Sequence, residues 1–311
     1  MRVARLLSIA TIAALGLAAP AFAGDPGTAV FSFLKIGTDA RSTAMAGAMT
    51  GLADGLGAAT YNPAAFAQSG PRELTASYVN WVLDIQGGSL AGVWSVGQKG
   101  RVGVSAQYLD YGNFDSRDAD GNTAPGFGAS DLALGVSYAA MLGTNLSAGA
   151  TGRFISESID NESMTGMAAD LGVLYQFSDQ RTRFGAAVRN LGAQTKAYAN
   201  GAKEDLPIVL AAGASHHLRG TPVIATAEIL KPSDDDVGGA FGVEVAATRQ
   251  FALRGGFNTL AGKIKTGSNS DKFAGISIGA GFQTDRLGVD YAFAAHSELG
   301  DAHRFTIHTR F

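Results

Sequence analysis

From Leu74 to the end of the chain, apolar and polar positions alternate with a period of two, the pattern of strands with one face buried and one not. Leu287, Val289, Tyr291 and Phe293 alternate with Arg286, Gly288, Asp290 and Ala292. Leu132, Leu134, Val136 and Tyr138 alternate with Asp131, Ala133, Gly135 and Ser137, and Val102, Val104, Ala106 and Tyr108 with Arg101, Gly103, Ser105 and Gln107. One face is apolar and often aromatic. The other carries Gly, Ser, Thr and isolated charges. The alternation predicts fourteen strands, beginning near Leu74, Gly88, Arg101, Asp131, Asn145, Met164, Arg183, Pro207, Pro222, Gly239, Phe251, Lys272, Arg286 and Arg304.

Alternation does not say which face points inward; connection lengths do. After even strands they are tight: Gly97–Gly100, Met141–Thr144, Ser178–Arg181, Leu218–Thr221, Thr248–Gln250 and Thr284–Asp285. After odd strands they are mostly long and polar: Tyr111–Ser130, Ser156–Ser163, Leu191–Leu206, Lys231–Gly238, Thr259–Asp271 and His296–His303, with only Asp84–Gly87 short. Short turns at one end and longer loops at the other, over an even number of strands, describe an all-β transmembrane antiparallel barrel of about fourteen strands in an outer membrane. The last strand places Phe305, Ile307 and the terminal Phe311 on one face. An aromatic ending on the lipid side reads as an assembly signal for the barrel-assembly machinery.

Residues 31–69 break the period. They are rich in Ala, Gly and Met, and predict a short helix from about Asp39 to Asp54 with Asp39 as N-cap. A helix of small residues has little surface for a core of its own, so it needs enclosure, and a lumen this wide needs a plug. At the N-terminus, Arg2 and Arg5, the apolar run Leu6–Leu17 and Ala21-Phe22-Ala23 have the form of an export signal. The expected organisation is a signal peptide over 1–23, a plug or hatch over 24–72 and a barrel over 73–311.

Without the leader, 22 basic residues face 27 acidic ones, and no basic block exists to neutralise phosphates, so nucleic acid is excluded as a partner. The chain has no cysteine, hence neither disulfides nor thiolate chemistry. No catalytic or metal-binding motif emerges; His216 and His217 are adjacent, so on a strand they point to opposite faces. The expected chain is not an enzyme and carries no cofactor or metal.

Several motifs together resemble a known family. Phe33-Leu34-Lys35-Ile36-Gly37 runs into Ala40-Arg41-Ser42-Thr43-Ala44-Met45-Ala46-Gly47-Ala48, followed by Leu52-Ala53-Asp54 and Tyr61-Asn62-Pro63-Ala64. Later come Arg189-Asn190-Leu191-Gly192, Leu253-Arg254-Gly255-Gly256 and Val289-Asp290-Tyr291-Ala292-Phe293. These stretches resemble the PorV/PorQ family within the FadL-like fourteen-stranded outer-membrane barrels. The resemblance implies that Asn62, Pro63 and Ala64, with Arg41, belong to the plug. It also implies one of two roles, handling of a hydrophobic small molecule such as a long-chain fatty acid or hydrocarbon, or type IX secretion with secreted proteins as partners. A cargo-free structural barrel is the third.

Glu228, Glu244, Arg254 and Asp290 fall on the polar face of their strands, as do Arg153, Asp170, Arg183 and Arg189. Charge at mid-depth against lipid costs about 2–4 kcal/mol, so these residues are expected to line the lumen. There they either pair with one another and fill the lumen, or form a polar lining that holds the plug or guides a solute. Asp118–Asn122 and Asp234-Asp235-Asp236 read as solvated external loops.

Overall fold

The computed structural model describes residues 28–311 except 53–54, 118–119, 121, 199–200, 202, 264–266, 268 and 298–299. The leader therefore lies outside the described residues, as does most of Asp118–Asn122. Fourteen strands form one closed antiparallel barrel in which each pairs with its sequence neighbours and β1 closes on β14. The strands are β1 (Arg72–Asn80), β2 (Gln86–Val96), β3 (Gly100–Arg117), β4 (Thr123–Met141), β5 (Leu146–Ile159), β6 (Glu162–Gln176) and β7 (Thr182–Lys196). They continue as β8 (Val209–His217), β9 (Val223–Pro232), β10 (Gly238–Ala246), β11 (Phe251–Asn258), β12 (Ile276–Gln283), β13 (Leu287–Ala295) and β14 (Asp301–Arg310). The six tight connections gather at the end where β1 begins and β14 finishes. At one of them the Asp179 carboxylate accepts hydrogen bonds from Arg181 N and from Thr182 N and Oγ1, which hold it down at about 2.

The apolar face is the outer one. Leu74, Tyr78, Leu90, Val136, Phe241, Ile278 and Val289 are exposed, whereas Asp170, Glu228, Glu244 and Asp290 are buried inside. Phe305, Ile307 and Phe311 stand on the outer face together. Closure leaves no sheet edge in the spanning zone, so every ladder group is bonded within the wall.

Three expectations need correction. The Ser156–Ser163 connection is a two-residue turn, because β5 runs to Ile159 and β6 begins at Glu162. Residues 111–130 are not a coil loop: β3 and β4 run on to Arg117 and Thr123 as a paired ribbon, with register shifts between Asp110 and Asn113 and between Phe114 and Ser116. Polar, glycine-bearing sequence reads as loop when strand pairing alone supports it. The helix expected over 39–54 is also shorter. It is α1 (Ala40–Ala44), capped by the Asp39 side chain accepting from Ser42 N at 3.0 Å. Ala46 and Gly47 then take left-handed φ of 53° and 79°, which stops it. A second turn, α2 (Gly55–Ala59), and a 3-10 helix over Pro63–Gln68 follow.

This segment sits inside the barrel because the inner wall is glycine where it passes. A Cβ at Gly149 would lie 2.5 Å from the Pro63 carbonyl, one at Gly256 2.6 Å from Met45 C, and one at Gly279 2.6 Å from the Ala44 Cβ. Side chains at Gly172 and Gly185 would overlap Asn62 and the Thr50 carbonyl, and Gly51 of the segment meets the Gly213 backbone at 2.6 Å in the same sense. The helical turns are small-residue turns for the same reason. Backbone packs on backbone, and Met45, Met49 and Leu52 are buried completely.

Gly185→Val should therefore unseat the segment, at a cost of at least ~1–3 kcal/mol of overpacking. Gly152 has open space around its Cβ position, so Gly152→Val should be silent. Thermal melting in detergent, read by loss of heat-modifiable mobility, checks both; equal melting of the two variants would contradict this packing.

Candidate functional site: the lumen segment and its polar anchors

The lumen segment is held by three kinds of contact. The first is neutral. Inward Ser, Thr and Asn side chains of the wall meet backbone groups that the irregular segment leaves without helical partners. Ser215 Oγ donates to Gly51 O at 2.8 Å, Ser89 Oγ to Thr38 O at 2.5 Å and Ser147 Oγ to Ala64 O at 3.2 Å. Thr306 Oγ1 accepts from Ala40 N at 2.8 Å, and Asn258 Nδ2 donates to Ala46 O at 3.3 Å. A non-helical backbone is tolerated at membrane depth only under such enclosure.

The second is the Asn-Pro-Ala element. Asn62 is fully buried in an extended conformation, and its Oδ1 accepts from Ala64 N at 3.1 Å, capping the 3-10 helix that Pro63 begins. Its Nδ2 donates to Thr50 O at 2.8 Å and to Val173 O of β6 at 3.0 Å. One amide thus ends one turn of the segment, starts the next and ties both to the wall. Pro63 supplies a fixed φ and needs no donor there; Ala64 is small because Leu174 packs on it.

The third is ionic. Arg41 of α1 donates from Nε to Glu244 Oε2 at 2.7 Å and from Nη2 to Oε1 at 2.9 Å, a bidentate pair. Arg254 Nε reaches the same Glu244 at 2.5 Å, and its Nη1 reaches Asp290 Oδ1 at 2.5 Å. His308 Nδ1 lies 3.2 Å from Asp290 Oδ2. The ladder crosses β10, β11, β13 and β14 and has one member, Arg41, on the segment. Glu228 accepts from Thr50 N at 2.8 Å, and Arg189 lies over the Tyr61 ring at 5.1 Å. Glu244, Arg254 and Asp290 thus bond to one another, while Glu244 and Glu228 also bond to Arg41 and Thr50 of the segment. Arg153 pairs with Asp170 at 2.6 Å and bonds Asn190 Oδ1 at 3.1 Å.

Sequence reasoning missed three participants. Arg304 is 2 % exposed beside the segment, on a strand where only its even position signalled an inward face. Asp234 is not a solvated loop residue; it is 3 % exposed and pairs with Lys35 of the segment at 2.5 Å. Asp205 O accepts from Val30 N at 3.1 Å. These two contacts place the start of the segment at the long-loop end. At the other end, beneath α1, a cavity of about 530 Å³ remains, lined by Arg41, Arg249, Arg254, Arg310, Glu73, Glu244, Asp290 and His308 among others.

Comparison with known proteins gives a family and a fold. The family model described as type IX secretion system protein PorV matches residues 26–223, from the lumen segment through β8. The toluene transporter TbuX of Ralstonia pickettii is similar in structure, at 16% identity and a TM-score of 0.61, over 91% of this chain and 100% of that one. The monoaromatic hydrocarbon channel CymD has a TM-score of 0.65 at 14% identity, over 91% and 99%. A FadL homologue from Pseudomonas aeruginosa has 0.54 at 14%, over 87% and 97%. No curated protein matches in sequence.

Arg41→Ala would strand Glu244 with one partner in a buried site. Because Arg254 still pairs with Glu244, the expected loss is ~1.5–3 kcal/mol of stability, with a rise in ion conductance of the barrel in planar bilayers. Restoring the charge with Arg41→Lys should rescue it only in part, because the bidentate fork is gone. Wild-type melting and conductance in Arg41→Ala would contradict the anchoring role.

Proposed function

The chain belongs to the type IX secretion PorV family, and from that premise we propose that it serves protein export at the cell surface as an outer-membrane barrel closed by its lumen segment. The carrying observation is how the lumen is filled. Anchors reach the segment from β2, β5, β6, β8, β9, β10, β11 and β14, and the space left over is lined by four arginines and four acidic side chains. Met49, Leu56, Leu74 and Phe251 also line it, but the charged groups dominate, and an apolar solute would have to desolvate them. The working face is then the outer one, where the long loops stand. In this reading residues 1–23 are removed on export, 24–72 form the plug and 73–311 the barrel, and the molecule binds partners rather than turning over a substrate.

A second reading has its own support. Solved neighbours of the same fold are named as a toluene transporter and a monoaromatic hydrocarbon channel, so capture or passage of a hydrophobic small molecule fits the architecture. The segment would then have to shift to open an apolar route between plug and wall.

Purification of the tagged protein from native outer membranes, with protein identification and lipid extraction of the same sample, separates the two. Secreted proteins enriched tenfold over an unrelated barrel support export. Co-purified fatty acids or hydrocarbons without such proteins would overturn it. Deleting Phe311 should lower the amount of assembled barrel several-fold while Phe311→Tyr leaves it near normal, if the outward stripe Phe305, Ile307 and Phe311 is read by the assembly machinery; surface-exposed yield in both strains checks this.

A further inference from the structure

The two ends of the barrel differ in charge. The short turns hold Lys99, Arg181, Arg219, Arg249 and Arg286 against Asp179 and Asp285, whereas in the long connections acidic residues outnumber basic ones. Short turns face the periplasm in barrels of this kind. The basic end is therefore the periplasmic one, and the cavity of about 530 Å³ beneath α1 opens there. Sites for ligands commonly measure about 300–1,000 Å³.

The carboxylates around that cavity are all engaged. Glu244 binds Arg41 and Arg254, and Asp290 binds Arg254 and His308. Glu73 accepts from Gly70 N at 2.7 Å and lies 3.2 Å from Arg310 Nε, and Asp39 caps α1. A cation entering here would find no free acid. The groups left over are donors. Among the described residues, Arg249 is exposed at the mouth with no hydrogen-bond or ion-pair partner. Gln68 Nε2, at the end of the 3-10 helix, lines the cavity and is buried without a partner. A buried donor without an acceptor is destabilising, so this one favours a ligand that brings an oxygen. The site is built for an anion.

Register sets its spread. Gln283 pairs with Gly288 and Gly288 with His308, so one inward row crosses β12, β13 and β14. Gln250 O accepts from Gln283 N at 2.7 Å, and Arg310 is the next inward position after His308. From Arg249 at the head of β11 to Arg310 on β14 is three strand spacings, roughly 15 Å at about 4.8 Å each. A single small anion touches one end of that span. Extended polypeptide rises about 3.3 Å per residue, so about four or five residues reach from one arginine to the other. Lipid headgroups do not serve, because Gln283, His308 and Arg310 share the inward face, across the wall from the leaflet.

We propose that this mouth binds an acidic stretch of a periplasmic protein in extended form, with one carboxylate on Arg249, another on Arg310 and an oxygen on Gln68 Nε2. The lumen segment covers the cavity from above, so the chain enters and leaves on the periplasmic side. The opposite charge of the long-loop end steers it to this one. The site goes beyond the export reading and does not rest on it, since the long loops stand at the other end of the barrel.

Fluorescence anisotropy of a labelled hexapeptide of alternating Asp and Glu, titrated with the purified barrel in neutral detergent, tests the site. The acidic peptide should bind at least tenfold more tightly than free glutamate, and a Lys hexapeptide should not bind. Arg249→Glu should weaken binding about tenfold. Gln283→Trp, which fills the mouth at unchanged charge, should weaken it as much. Arg219→Glu makes the same charge change at the same end but outside the cavity, and should alter binding less than twofold. In intact cells of the native host, a photoreactive amino acid at Gln250 should give an adduct with another protein, at least tenfold over the same group at Thr221, with the linked residues in a stretch rich in Asp and Glu. Equal weakening by Arg219→Glu and Arg249→Glu, unchanged binding in Gln283→Trp, or free glutamate binding as tightly as the peptide would overturn the proposal. So would an adduct only to phospholipid or to a second copy, or none above the control.

Discussion

Hydrocarbon offers no hydrogen bonds, and that constraint shapes the whole molecule. A chain crossing it as strands has to close the sheet, because an open edge would leave a column of unbonded N–H and C=O groups. It also has to turn every charged side chain away from lipid. Closing fourteen strands satisfies the first demand and creates the second problem, an interior too wide for its own side chains to fill. Residues 30–69 answer it, and they can do so only because the inner wall yields space. Gly149, Gly172, Gly185, Gly256 and Gly279 let segment backbone approach wall backbone, and the inward Ser, Thr and Asn residues then bond its carbonyls and amides. Glycine weakens a strand in isolation; here the loss is offset by the buried packing it permits.

Much of this is legible in the sequence, for a physical reason. A strand wetted by lipid on one face and by a polar lumen on the other shows its period two without ambiguity, so the fourteen strands follow from the pattern, and the alternation of short and long connections then gives the direction of their faces. Asp39 as an N-cap follows from local backbone chemistry and holds in the structure. What is not legible depends on residues far apart. Glycine inside a strand looks like a weak point until the group across the lumen is known. The run of small residues over 39–54 looks like one helix because nothing local demands the left-handed pair at Ala46 and Gly47; fitting under β11 does.

The same distance effect explains the polar residues that sequence reading misplaced. Asp234 sits in a run of three aspartates and reads as solvated, yet Lys35, 199 positions away, buries it. Its neighbours stay nearer solvent, Asp235 half-buried and Asp236 exposed, and both face Lys263. Tyr111–Ser130 has loop composition, but composition reports only what a residue can tolerate. Pairing of Asn113 with Gly128 and of Phe114 with Phe127 decides the matter.

The arrangement of anchors bears on what the barrel can do. The ionic ladder from Arg41 through Glu244 and Arg254 to Asp290 lies toward the short-turn end and opens on a water-accessible cavity. The contacts of Val30 and Lys35 with Asp205 and Asp234 lie at the other end. The segment is therefore pinned at top and bottom, with neutral bonds between. Moving it aside would require breaking buried charge pairs and leaving their partners behind in a low dielectric, which costs several kcal/mol for each pair. A protein whose task was to pass solute at every encounter would pay that cost each time. A protein whose lumen stays shut would bear it once, during folding.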